Sequence, residues 1–133
     1  MRHILTLLIF LSGVTNSHAL VETFECTVKA VQEVSEKGEI IRGTEHLKSQ
    51  IGSTFSVEKT TGEIRGGYFI NNRYKKSVEV ISLPAKGSYY AVSKSHGPHI
   101  EISYLYVNNF SKSIEKTFTY VVSGKWIYTG TCK

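Results

Sequence analysis

The 133-residue sequence predicts an all-β domain of about eight antiparallel strands, a meander that curls into a small barrel or sandwich with one disulfide joining its first and last strands. Three observations predict it. Apolar side chains recur every second residue through most of the chain, the period of strands with one buried face. Clusters of Gly, Pro, Asn and Ser interrupt that alternation at short, roughly regular intervals, as tight turns require. The only two cysteines, Cys26 and Cys132, stand at the two ends of the alternating region. A bridge between them would hold together the outermost strands, which an open meander leaves as unpaired edges.

The elements follow in order. Arg2 and His3 precede an apolar run from Ile4 to Leu11, and Ser17-His18-Ala19 is a small-x-small pattern, so residues 1–19 read as a cleavable signal peptide and residues 20–133 as a single β domain. The apolar run is shorter than the roughly 20 residues needed to span a bilayer, and no later stretch approaches that length. From Thr23 to Gln32 the alternation puts Phe24, Cys26, Val28 and Ala30 on one face. Ser35 to Gly38 reads as a turn and Glu39 to Arg42 as a short continuation. Thr44 to Gly52 is the one helical candidate, with Thr44 as a cap, Leu47 and Ile51 one turn apart, and Gly52 as the stop.

Thr54 to Glu58 and Glu63 to Arg65 form a hairpin around Lys59-Thr60-Thr61-Gly62, with Gly62 in the left-handed position of a type I turn plus bulge. Gly66-Gly67 allows a bulge or a close backbone approach, and Asn71 to Lys76 reads as a polar, basic connection. Ser77 to Leu83, Ser88 to Lys94 and Ile100 to Val107 read as three further strands. Asn108-Asn109 turns the chain into Ser113 to Val122, and Gly124 into Lys125 to Cys132, where Trp126, Tyr128 and Cys132 share a face.

Composition narrows the chemistry. No aspartate occurs, which removes aspartate-based triads, aspartate-rich calcium loops and paired-aspartate hydrolase sites. An even cysteine count without C-x-x-C spacing, behind an export signal, points to one structural bridge, Cys26–Cys132, rather than a zinc or redox site. The net charge of +5 falls by one when Arg2 is cleaved away, an excess that serves solubility and draws the protein toward anionic surfaces.

Four segments together, Phe24-Glu25-Cys26, Phe55-Ser56-Val57, Thr61-Gly62-Glu63-Ile64-Arg65-Gly66 and Gly130-Thr131-Cys132, give the chain a pattern that resembles a group of small exported bacterial proteins with no assigned function. That resemblance implies a bacterial, periplasmic setting and carries no catalytic residue across. The placement of the end cysteines is also similar to that of periplasmic lysozyme inhibitors. Their Ser-Gly inhibitory loop has no match here, and a basic inhibitor would repel a basic lysozyme.

Among candidate sites, Tyr68, Arg73, Tyr74, Lys75 and Lys76 combine aromatics with charge, and Tyr104 and Tyr106 head a series of strand tyrosines with Tyr89, Tyr90 and Tyr128. Tyrosine faces stack on sugars or bases, while lysines meet phosphate or carboxylate groups. His96, His99 and Glu101 form a weak metal candidate without an evident fourth ligand. No nucleophile elbow or phosphate loop occurs, so neither an enzyme nor a cofactor is expected. The expected function is non-enzymatic binding of a small ligand or glycan, an anionic glycan included, in the cell envelope. The alternative is an interaction or inhibitor module that meets an envelope protein through the basic aromatic loop. Nucleic acid is not an expected partner, because nothing marks an oligonucleotide-binding groove.

Overall fold

The computed structural model describes residues 21–67, 70–72, 77–83, 87–95, 98–110 and 112–133. The proposed signal segment, and Tyr68, Arg73, Tyr74, Lys75, Lys76 and His96 of the candidate sites, lie outside the described residues.

The described residues form nine strands and one helical turn: β1 (Thr23–Val34), β2 (Ile40–Arg42), α1 (Glu45–Lys48), β3 (Thr54–Glu58), β4 (Ile64–Gly66), β5 (Ser77–Leu83), β6 (Ser88–Lys94), β7 (Ile102–Asn108), β8 (Lys116–Val122) and β9 (Trp126–Cys132). All belong to one antiparallel sheet in the order β4-β3-β1-β9-β8-β7-β6-β5, with β2 paired to the far end of β1. The sheet curls into a half-barrel. The expected meander is present from β5 to β9, and the ninth strand is the short β2 where a continuation of β1 was expected.

First and last strands are neighbours. Cys26 and Cys132 face each other in the β1–β9 register and form the disulfide. Beside it, Glu25 and Lys133 exchange two backbone hydrogen bonds of 3.0 and 2.9 Å. The sequence alternation fails once within β1: the register shifts between Val28 and Ala30, so Ala30 turns outward and Val31 takes the buried position. An extra residue at such a bulge reverses the side-chain faces beyond it. The helical candidate contracts to the single turn of α1. Leu47 is buried, whereas Ile51 is exposed and Thr44 makes no side-chain cap.

Aromatic side chains fill the concave side across the barrel. Phe55 of β3 meets Phe118 of β8 edge to face at 5.1 Å, and Phe24 of β1 meets Tyr89 of β6 at the same distance. Gly130 of β9 pairs with Phe118, and a Cβ there would lie 2.6 Å from the Phe118 ring and 2.0 Å from the Thr27 carbonyl oxygen, so only glycine leaves the ring its place. The expected hairpin is observed, with Gly62 at φ 72° and Val57 opposite Ile64.

The two ends of the sheet, β4 and β5, share no ladder among the described residues. Side chains close this seam instead. A Cβ on Gly62 would lie 2.9 Å from both Val78 and Val80 of β5, which puts the β3–β4 turn directly against that strand. Asn72, expected in a polar, basic connection, is 3 % exposed. Its Oδ1 accepts from the Ile64 N–H at 2.8 Å, and its Nδ2 donates to the Gly62 carbonyl at 2.7 Å and to Ser93 Oγ of β6 at 3.2 Å. The Tyr89 hydroxyl adds a 3.3 Å hydrogen bond to the Glu58 carbonyl.

Candidate functional site

Alternation decides which tyrosines are free to bind. Tyr89, Tyr120 and Tyr128 point into the core, while Tyr90, Tyr104 and Tyr106 point outward. The register sets the outer residues in rows across the strands. One row runs Ile81, Tyr90, Tyr106, Thr119 and Thr129; the next runs Glu79, Val92, Tyr104, Val121 and Ile127; a third begins Ser77, Lys94 and Ile102. Charge enters these rows only through Glu79 and Lys94, both at the β5–β6 corner.

Within the rows, Tyr90, Val92, Ile102, Tyr104, Tyr106 and Thr119 line an open groove of about 500 Å³. The Tyr90 and Tyr106 rings lie 4.8 Å apart at 37°, a cross-strand aromatic pair that steadies both. Tyr104 is 41 % exposed and Tyr90 38 %. Ile102 at 52 % and Ile100 at 72 % carry the apolar surface past the groove, where a second depression of about 350 Å³ is lined by Ile100, Ile102, Tyr104 and Val121. With strands about 4.8 Å apart and same-face residues about 6.8 Å apart, three rows over the five strands β5 to β9 cover at most about 500 Å².

Of the sequence candidates, the structure thus brings Tyr104 and Tyr106 together and adds Tyr90. Within β6 and β7 the alternation of Tyr90 with Tyr89, and of Tyr104 and Tyr106 with Leu105, was the signal that could have set this trio on the face opposite the core. His99 lies exposed in a bend before β7, and Glu101 is half-buried. The Ser95 hydroxyl lies between them, 3.5 Å from the His99 carbonyl and 3.4 Å from that of Glu101, and accepts from the Glu101 N–H at 3.0 Å. Among the described residues no group of three or more His, Cys, Asp or Glu side chains is placed to hold a metal ion. No helix among them is long and apolar enough to cross a membrane.

A third depression, about 410 Å³, lies at the disulfide end and is lined by Glu25, Thr27, Lys29, Thr54, Glu115, Thr131 and Lys133. Its charges are of both signs, and Lys133 lies 4.0 Å from Glu115, so it favours no one ligand charge. Comparison of the chain with protein families, with curated proteins and with solved structures finds no match.

Proposed function

We propose that this protein is an exported, non-enzymatic binding module of the bacterial cell envelope, and that the outer tyrosine face of β6–β8 holds an uncharged glycan. The single observation that carries the reading is the groove of Tyr90, Tyr104 and Tyr106 on an outer face almost free of charge. Sugars present C–H faces that stack on aromatic rings and hydroxyls that bond to phenol and threonine oxygens, and Thr119 stands in the same groove. The lack of charge favours a neutral ligand over an anionic one. Area favours a small ligand over a protein, since a stable protein interface covers about 800 Å² per partner and this face offers at most about 500 Å². The envelope setting rests on the signal-like segment at residues 1–19 and on a disulfide suited to an oxidising compartment.

Titration of the oxidised protein with neutral linear oligosaccharides, followed by amide chemical shifts, tests the reading. Shifts are expected along β6, β7 and β8, and Tyr104→Ala and Tyr106→Ala should each weaken binding about tenfold, equivalent to about 1.4 kcal/mol. Binding of anionic but not neutral oligosaccharides would overturn it, as would shifts confined to other strands.

A further inference from the structure

The interior contains a polar cluster that barrel closure does not account for. Ser93 of β6 and Ser103 of β7 are register partners, both buried and both facing inward. Ser93 receives the Asn72 amide, but Ser103 Oγ meets no partner with hydrogen-bonding geometry. Tyr120 of β8 lies diagonally across from Ser103, since Leu105 is its register partner, and Tyr128 of β9 lies directly opposite Tyr120 with ring centroids 6.2 Å apart. The Tyr128 hydroxyl is also without a partner. Ser103 and Tyr128 are both 0 % exposed.

Two buried hydroxyls left unbonded would each be destabilising, and native interiors avoid that nearly everywhere. The electrostatics put the three hydroxyl groups in one neighbourhood. Burial raises the Tyr120 phenol and a side-chain hydrogen-bonding interaction with Ser103 partly offsets the rise, so Ser103 Oγ lies near the Tyr120 hydroxyl without meeting full hydrogen-bond geometry, while burial and then the Tyr120 phenol push Tyr128 up to about 12. All three groups can donate and accept, which suits them to a solute that does the same.

We infer that Ser103, Tyr120 and Tyr128 form an enclosed binding site for one uncharged, water-sized hydrogen-bonding solute, a water molecule in the ordinary case. An enclosed water usually makes two to four hydrogen bonds to otherwise unsatisfied groups, and three hydroxyls meet that need. The site lies next to the Asn72–Ser93 contact in the β6–β7 register, so polar groups cross the interior from the β4 edge toward β8 and β9. It is independent of the outer glycan face.

Ser103→Ala and Tyr128→Phe test the inference, because an unbonded hydroxyl and a solvated one predict opposite signs. With a solute bound, each substitution removes one of its ligands and lowers the urea midpoint, and the double variant loses less than the two single losses combined. The native protein should also show a long-lived water contact to the Tyr128 ring protons in water-selective NMR, lost in Tyr128→Phe. Midpoints that rise in both single variants, or a native protein without that water contact, would overturn the inference.

Discussion

Asn72 does with one side chain what a ladder does elsewhere in the sheet. Its amide oxygen and nitrogen serve the Ile64 N–H and the Gly62 carbonyl, two edge groups for which a neighbouring strand would normally provide partners. Asn72→Leu would keep the volume and strand both groups, so urea denaturation should show a loss of about 2–6 kcal/mol, the sum expected for two stranded buried groups. Little of this was legible in the sequence. Asn71 and Asn72 look like loop residues because their role is set by a contact eight to ten positions back and another twenty-one positions ahead. No local pattern encodes such a contact. Tyr104 and Tyr106 alternate with buried Ser103, Leu105 and Val107, yet in the sequence they stand undivided from the core tyrosines Tyr89 and Tyr128, because alternation alone does not say which face is buried.

At the scale of elements, β1 and β9 form the spine. They are paired over Cys26 to Glu33 and Trp126 to Cys132, and the disulfide closes a sequence separation of 106 residues. In the chain-entropy account a loop of about 100 residues is worth up to about 4.7 kcal/mol. The double variant Cys26→Ser, Cys132→Ser should therefore be less stable by about 3–4 kcal/mol in urea melts, with β1 still paired to β9. A loss under about 1 kcal/mol would mean that the reduced chain already holds its ends together. This pairing was readable from the cysteine positions, as were the strands β3 to β9 from their alternation. The bulge in β1 was not, because Val28, Ala30 and Val31 are all apolar and fit either parity until a partner strand fixes the register. The extent of α1 was equally hidden, since Leu47 finds a core contact while Ile51, four residues on, does not.

The whole molecule has an alkaline limit built into its aromatic core. Burial, assisted by Glu58, raises Tyr89 to about 12, and burial with Tyr120 raises Tyr128 to about 12, against an ordinary value of 10.0 in the unfolded chain. The folded state holds these protons more tightly, so their contribution is fully present below pH 10 and is lost as pH rises from 10 to 12. Stability measured by chemical denaturation should be insensitive to these groups at pH 7–9 and fall steeply above pH 10. Tyr128→Phe should reduce the steepness, and an unchanged slope would show that Tyr128 does not titrate with unfolding.

The curled half-barrel is riveted along one line and only latched along another. Covalent and backbone bonds fix the β1–β9 line, whereas at the β4–β5 line the turn at Gly62, the Asn72 amide and the Tyr89 phenol hold the wall shut. Opening is therefore expected to start at the β4–β5 line, and amide hydrogen exchange should be faster along the β4 and β5 edges than along the stapled pair β1 and β9.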